Sequence, residues 1–387
     1  DGWNDRKDLI YSLNGQVKIS NSTFESNGEG EGVILFGGEA TTEYSYFKNV
    51  PDAIEYIQIN KGTISNNYVT KSPDDAIDLN GCNNILIKGN ILLENKDKGI
   101  SIGTEQYGAS IKNITVKNNL IIKNKTGISV KDSSVAYLSN NTLFKNIEGV
   151  KSYKKREDYL KGGTVFIKNS IFEKNEKLNV YNDNLSSIEV NNSMSQNKVI
   201  SGKKNFKGDP KFIDAKGYNF HLKSNSPGIG KGDDNFDIGA FNSNGTTVSF
   251  SKVHVKSKEK ESTGDWIELT NNYNLNIDLS LYKIILISES KERSFVFPIG
   301  TNLKRLGKII IANKYFDYIN NKPSLNLIVG GLPKLKLEET KLVLVNPDGY
   351  EIDSYTYNTK DIDLESITFS SSGLNDKTKK NWILNSK

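Results

Sequence analysis

The sequence has few of the residues on which many enzyme and metal sites depend. Its 387 residues include one cysteine, Cys82, and two histidines, His221 and His254. A single cysteine excludes a disulfide framework and a cysteine-based zinc site. Because the two histidines fall in regions of different texture, Ser-His-Asp, Cys-His and multi-histidine metal chemistry are also excluded.

Long apolar runs and a strong net charge are missing as well. No run approaches about 18 apolar residues, so we expect no membrane span. The 51 basic and 46 acidic residues leave a net charge of +5. This balance could help to attract an acidic polymer, but without a dense basic block interleaved with aromatics it argues against nucleic acid as a partner.

Two short patterns alternate along residues 8–200. The first is a small, an apolar, a polar and an apolar residue in sequence, as in Ala53–Tyr56 and Ala76–Leu79. The second is an apolar residue, any residue, and then Asn followed by Asn or Ser, as in Ile64–Asn67 and Ile167–Ser170. The first pattern recurs from Asp52 to Asp75 and from Asp75 to Lys98, a step of 23 residues each time. Strand-length pieces at this period, with no helical periodicity, predict a β-solenoid with coils of about 22–23 residues.

Equivalent positions of successive coils should stack about 4.8 Å apart. Ile77, Ile100 and Ile128 would then form an inward apolar column. A second column, interpreted as a structural asparagine ladder at a turn, contains Asn67, Asn90, Asn119 and Asn141.

These repeats resemble the right-handed parallel β-helix repeats of pectate-lyase-like proteins. The segments Asp209–Phe212, Phe220–Lys223, Ser226–Gly230 and Asp237–Phe241 resemble, in order and spacing, the closing part of bacterial secreted β-helices. The resemblance implies a β-helix over residues 1–241 and an extracellular or cell-surface location in a bacterium. Since an uncapped first coil would expose sheet edges, we expect further chain or a partner N-terminal to Asp1.

The repeat pattern ends near residue 241, and a different pattern of alternating strands follows. Asp265–Asn271, Ile277–Ser280, Phe297–Gly300 and Ile309–Asn313 resemble the lamin-tail domain, and Asn381–Leu384 resembles its closing segment. That resemblance implies an immunoglobulin-like β-sandwich over residues 242–387, with Trp266 in its core. The predicted fold class is therefore all-β, a right-handed parallel β-helix followed by a lamin-tail-like sandwich.

Strand alternation places an acidic cluster on the outside of two neighbouring coils. Its members are Asp52, Glu55, Asp74, Asp75 and Asp78, and Lys98 follows on the next coil. Like charges stacked on adjacent strands destabilise a sheet, so bound Ca²⁺, neighbouring lysines or water must compensate them. Asp52, Asp74, Asp75 and Asp78 are the candidate Ca²⁺ ligands.

Two insertions lengthen the repeat after the same strand of the coil. They lie around residues 104–110 and 152–163, and they could wall a groove. The candidate substrate-binding residues in these walls are Tyr107, Tyr153, Lys154, Lys155 and Arg156, and Tyr159 is a further candidate for stacking on a sugar.

Three functions fit this face. The first is a non-catalytic secreted or surface module that binds an acidic or neutral polysaccharide, or a surface protein, along the groove. The second, implied by the resemblance, is a Ca²⁺-dependent polysaccharide lyase with Lys98 or Lys131 as general base, its pKa lowered by the cation. The third is an inverting glycoside hydrolase using Asp52 and the Asp74–Asp75 pair, which requires carboxyl groups about 6.5–9.5 Å apart.

Overall fold

The computed structural model describes residues 8–104, 112–241, 243, 245–256, 265–313, 326–358, 366–371 and 382–386. The chain divides into two compact units. The first contains Asp1–Lys211 and Leu222–Ser243, and the second contains Phe212–His221 and Asn244–Lys387. Among the described residues, no helix is long and apolar enough to cross a membrane.

The first unit is a parallel β-solenoid of about eight coils, with three rows of strands. Two long strands, β1 (Ile10–Ser20) and β3 (Val33–Glu43), begin both the first and the second row. The first row continues with β5 (Ile54–Ile57), β8 (Ile77–Asn80), β11 (Lys98–Gly103), β14 (Thr126–Lys131), β17 (Glu148–Tyr153) and β20 (Leu178–Asn182).

The second row continues with β6 (Lys61–Ser65), β9 (Ile85–Lys88), β12 (Ile114–Lys117), β15 (Val135–Ser139), β18 (Thr164–Lys168) and β21 (Ser187–Asn191). The third row consists of β2 (Thr23–Glu25), β4 (Tyr46–Lys48), β7 (Tyr68–Thr70), β10 (Ile91–Leu93), β13 (Leu120–Ile122), β16 (Thr142–Phe144), β19 (Ile171–Glu173), β22 (Met194–Ser195) and β23 (Phe206–Lys207).

The strand register confirms the stacking predicted from the repeat. Ile77 pairs with Ile100, and Ile100 pairs with Ile128. All three side chains are fully buried in one continuous apolar core. Alternation therefore places the intervening residues of the first row on its outer face.

The small residue at the start of the first pattern is explained by close contact between coils. At Gly127 a Cβ atom would lie 2.6 Å from the carbonyl oxygen of Gly149, and at Gly99 it would lie 2.7 Å from that of Gly127. A larger side chain at these positions would therefore push neighbouring coils apart.

The asparagine ladder is also confirmed. The Asn119 Oδ1 accepts hydrogen bonds from the backbone N–H of Asn90 at 2.9 Å and from its Nδ2 at 3.0 Å, and Asn119 Nδ2 donates to Asn141 Oδ1 at 3.0 Å. These side chains are fully buried, so each amide replaces the water that the turn would otherwise need.

The C-terminal segment of the first unit packs against earlier coils of the same unit. Asn140 donates a hydrogen bond to the carbonyl oxygen of Asp237, and the N–H of Ala240 donates to Thr142 Oγ1 at 2.9 Å. A short 3₁₀ segment, Asp233–Asn235, precedes this contact. A hairpin of β24 (Phe212–Asp214) and β25 (Asn219–Leu222) lies between the last coil and this segment in the chain.

The second unit is built from two main sheets that are mostly antiparallel. The larger contains β26 (Val248–Lys256), β27 (Trp266–Asn271), β32 (Lys308–Ala312), β33 (Asn326–Val329), β36 (Ser366–Ser371) and β37 (Trp382–Ser386). The smaller contains β29 (Lys283–Ser288), β30 (Lys291–Val296), β34 (Thr340–Val345) and β35 (Glu351–Tyr357), and β28 (Ile277–Asp278) pairs with β31 (Asn302–Leu303). Trp266 is buried, as predicted, and its ring stacks on His254 at 5.1 Å.

Candidate functional site

The outer face of the first row forms a strip that is acidic on its early coils and basic on its later ones. Glu55 pairs with Asp78, Asp78 with Ser101, and Ser129 with Lys151. Two residues further along each strand, a parallel column on the same face contains Asn80, Gly103, Lys131 and Tyr153. We call this face the acidic–basic strip.

Three carboxylates converge at the acidic end of the strip. One ligand atom from each of Asp52, Asp74 and Asp75 lies within 4.8 Å of the other two. Asp78 does not join this group, although its pairing places it on the same face. Carboxylate oxygens this close together can share one cation. The hydrolase interpretation of Asp52 and the Asp74–Asp75 pair stays a hypothesis.

The carboxylates also accept hydrogen bonds from backbone N–H groups of the next coil. The N–H of Asp75 donates to Asp52 Oδ1 at 3.3 Å, and the N–H of Lys98 donates to Asp75 Oδ1 at 2.8 Å. Part of the acidic column is therefore structural, since each side chain satisfies a donor on its neighbour.

Lys98 compensates only part of the negative charge. Its Nζ lies 3.2 Å from Asp75 and also pairs with Asp97, which in turn pairs with Lys125 at 3.2 Å. Among the described residues, no lysine or arginine forms an ion pair with Asp52 or Asp74. Asp52 therefore lies in the cluster without a cationic partner from this part of the chain.

Burial and crowding raise the pKa values of the cluster. Burial, followed by the charges of Asp78, Asp74, Asp75 and Glu55, raises the pKa of Asp52 to about 9. Burial and the neighbouring carboxylates likewise raise the pKa of Glu55 to about 8. Burial raises the pKa of Asp75 to about 6, against the opposing effect of Lys98. At neutral pH the site therefore favours either bound protons or a bound cation.

The pKa of Lys98 is shifted in the direction opposite to that predicted for a general base. Its burial lowers the pKa, but the charges of Asp75 and Asp97 outweigh this effect and raise it above its ordinary value. A lysine held protonated by two carboxylates cannot readily accept a proton. The lowering of this pKa by a bound cation stays a prediction.

The middle of the strip has a floor of small residues. Ser101 and Ser129 face outward and are nevertheless fully buried. A Cβ atom on Gly103 would lie 2.7 Å from Lys131 Cε, so the lysine crosses this position because glycine leaves room for it. Lys131 is itself buried, and its Nζ donates to Ser101 Oγ at 2.8 Å.

The second insertion is held in place by the buried Asp132 and the partly exposed Asp183. Asp132 Oδ1 accepts the N–H groups of Lys155 and Arg156 at 2.7 and 3.0 Å, and Asp183 Oδ2 accepts that of Lys154 at 2.7 Å. The backbone of this basic segment is thus fixed, and the side chains of Lys154 and Lys155 remain partly exposed.

Not every candidate in this wall is available to a ligand. The Arg156 guanidinium is engaged by Asp158 through two hydrogen bonds of 3.1 and 3.2 Å. Tyr159 is buried, so its prediction as an exposed stacking ring is wrong. Tyr153 is half-buried, and Lys151 Nζ lies 5.5 Å from its ring centroid. Tyr107 and most of the first insertion lie outside the described residues.

The sequence reading missed a second ladder of buried asparagines at the turn before the first row. Asn95, Asn124, Asn146 and Asn175 are linked by side-chain hydrogen bonds of 2.8–3.2 Å. The spacing could have revealed it, because its steps from Asn95 to Asn124 and on to Asn146 equal those from Asn90 to Asn119 and on to Asn141.

The fold and the site define an all-β chain of two parts, a parallel β-solenoid that carries the acidic–basic strip and an immunoglobulin-like sandwich. The family model for the right-handed beta helix region matches residues 9–160, and that for the Lamin Tail Domain matches residues 242–359. The chain therefore joins a right-handed β-helix to a lamin tail domain. No curated protein matches it.

Proposed function

We propose that the β-helix binds an acidic polysaccharide along the acidic–basic strip, at a bacterial cell surface or outside the cell. The observation that carries this proposal is the convergence of Asp52, Asp74 and Asp75 within 4.8 Å, on the same face as a run of lysines. A Ca²⁺ ion takes six to eight oxygen ligands, so three aspartates leave room for water and for carboxylates of the glycan.

The lysines extend this site along the acidic–basic strip. Lys131 and Lys151 lie on the two coils beyond Lys98, and Lys154 and Lys155 stand in the wall of the second insertion. A glycan carboxylate bridged by Ca²⁺ at the acidic end would place the following sugar units near these cations. A surface protein with an acidic segment is the other occupant of such a groove.

The proposal is tested by measuring binding of polygalacturonate and of neutral glycans by calorimetry, with Ca²⁺ and with EDTA. We expect Ca²⁺-dependent binding that the double variant Asp52→Asn, Asp74→Asn loses. The matched control is Asp234→Asn with Glu189→Gln, which removes two exposed carboxylates of the same unit and should leave binding unchanged. Binding that is independent of Ca²⁺ and equal in all three proteins would refute the Ca²⁺ site.

A polysaccharide lyase is the second candidate, and the position of Lys131 favours it. This lysine is buried on the strip, and among the described residues its Nζ contacts a serine hydroxyl, not a carboxylate. As general base it would take the proton α to a uronate carboxylate. We expect ultraviolet absorbance of an unsaturated product, which the Lys131→Gln variant should not form and the Lys151→Gln variant should. If the wild-type protein forms no product, the lyase candidate is refuted and only the binding function remains.

A further inference from the structure

Two corners of the β-helix use the same left-handed backbone conformation but different residues. The corner between the second and third rows contains Asn21, Tyr44, Asn66, Gly89, Asn118, Asn140, Asn169 and Asn192, with φ between 47° and 64°. The corner that follows the third row contains Asn49, Lys71, Glu94, Lys123, Lys145 and Lys174, with φ between 54° and 58°.

The second corner therefore has residues that its backbone does not favour. Glycine and asparagine adopt a positive φ most readily, whereas other residues with a Cβ are strained there. The first corner follows this preference at all but Tyr44, while the second has lysine at four of its six positions. Because lysine offers the turn no conformational advantage, its repeated use indicates a role for the charge.

The lysines of this corner form an exposed single file. Lys71, Lys123, Lys145 and Lys174 are all exposed, and successive coils place neighbouring positions about 4.8 Å apart. Lys145 and Lys174 lie 5.3 and 6.0 Å from the centroid of the Phe144 ring. We call these four residues the corner lysines.

Acidic residues offset this charge only in part. Lys123 pairs with Glu94 at 2.7 Å, and Lys174 lies 3.5 Å from Glu173. Burial raises the pKa of Glu173 to about 7, so this carboxyl is only partly charged at neutral pH. Among the described residues, Lys145 has no carboxylate partner. Stacking like charges in this way is unfavourable, and an external anion that lies across them would offset the repulsion.

The surroundings indicate the shape of that anion. An open groove of about 650 Å³ is lined by three of the corner lysines, Lys123, Lys145 and Lys174. Its other charged lining residues are Lys96, Lys125, Glu94 and Glu176, so lysines outnumber carboxylates by five to two. Phe144 is buried, and the described residues that line the groove include no aromatic side chain on which a nucleic-acid base could stack. The positive charges lie in one row along successive coils, and this arrangement matches a single extended chain with regularly repeated anionic groups.

We propose that the corner lysines form a second binding surface, on which an acidic polysaccharide lies along the axis of the β-helix. The contacts centre on Lys123, Lys145 and Lys174, the end of the file that is furthest from Asp74 and Asp75. This surface uses side chains that the acidic–basic strip does not, and it needs no Ca²⁺. It therefore stands independently of the function proposed for the strip.

The test uses the full chain, polygalacturonate and EDTA, so that any Ca²⁺-dependent binding at the strip is removed. The triple variant Lys123→Asn, Lys145→Asn, Lys174→Asn keeps a residue type that suits a positive φ, so the fold should be retained. We expect roughly tenfold weaker binding and a flatter dependence of affinity on salt, because three exposed ion contacts are lost. The melting temperature should not fall.

The matched control is Lys61→Asn, Lys88→Asn, Lys112→Asn, which removes three exposed lysines from another face of the same unit. It should bind as the wild-type protein does. The proposal is overturned if the two triple variants lose the same affinity, or if the corner variant binds like the wild type. Equally tight binding of oligodeoxythymidylate at the same salt concentration would overturn the assignment to a polysaccharide. A corner variant that loses only Ca²⁺-dependent binding and keeps its full binding in EDTA would likewise overturn the proposal.

Discussion

At the scale of single residues, the acidic cluster combines a structural and a chemical role. Asp52 and Asp75 each accept a backbone N–H from the next coil, and this part was not foreseen. The sequence does predict that both face outward with Asp74, because alternation and period fix the side of the strand. It could not predict the partial burial of Asp52 or the pairing of Lys98 with Asp97, since these depend on how side chains fill the turn.

The raised pKa values make stability depend on pH in a defined direction. In the folded chain Asp52 keeps its proton up to about pH 9, whereas its ordinary pKa is 3.8. Between these values the folded state binds more protons than the unfolded state, so the free energy of unfolding falls as pH rises. We expect the melting temperature of the β-helix in EDTA to decrease from about pH 5 to about pH 8.5.

Two comparisons identify the carboxyl groups that cause this pH dependence of the melting temperature. The double variant Asp52→Asn, Glu55→Gln should flatten it, whereas Asp234→Asn with Glu189→Gln should not. Added Ca²⁺ should restore stability above pH 7 in the wild-type protein, because the cation replaces the protons. A melting temperature that rises steadily over this pH range would contradict the raised pKa values.

At the scale of elements, the turns depend on the buried asparagine ladders. A parallel strand row satisfies its own backbone groups, but the corners between rows leave donors that water cannot reach. The ladders supply these partners once per coil. The first ladder was predictable from its period, and the second was missed because the repeat was aligned on only one asparagine column.

Replacing Asn119 with alanine should destabilise the β-helix by about 2–4 kcal/mol, because the N–H and Nδ2 of Asn90 would lose their buried acceptor. Urea unfolding followed by circular dichroism measures the change. Asn119→Ser should lose less, since Ser170 already serves the same ladder by accepting the N–H of Asn141. Asn60→Ala, at an exposed position, should change stability by less than about 0.5 kcal/mol. Equal stability of the Asn119→Ala and Asn60→Ala variants would show that the ladder contributes nothing.

At the scale of the whole molecule, the boundary between the two compact units differs from the residue at which the sequence repeat ends. Repeat texture places the boundary at residue 241, whereas contacts assign Phe212–His221 to the second unit. The reason lies in a few side chains. The Tyr273 hydroxyl and His221 Nε2 share a buried hydrogen bond of 2.7 Å, and the Tyr282 hydroxyl reaches Asp214 at 3.4 Å. Such long-range contacts leave no local pattern in a sequence.

A fragment of residues 209–387 should therefore be more stable than one of residues 242–387. The shorter fragment leaves the Tyr273 hydroxyl buried without His221, which should lower stability by about 1–3 kcal/mol. Urea unfolding followed by tryptophan fluorescence compares the two. Tyr273→Phe in the longer fragment removes the same hydrogen bond. It should lower the stability of that fragment by only part of the difference between the two fragments. Identical midpoints would mean that residues 212–221 add nothing to the fold of this unit.

Both ladders keep their register across coils of unequal length. Asn90 to Asn119 spans 29 residues and Asn119 to Asn141 spans 22, yet the amide contacts are 3.0 Å in both cases. In the chain, the extra residues of the longer coil fall between β11 and β12, that is, at the corner between the first and second rows. Evolution can therefore lengthen, shorten or exchange the loops at this corner without altering the stacked scaffold. The stacked coils thus form a constant frame on which the loops of this corner can diverge one coil at a time.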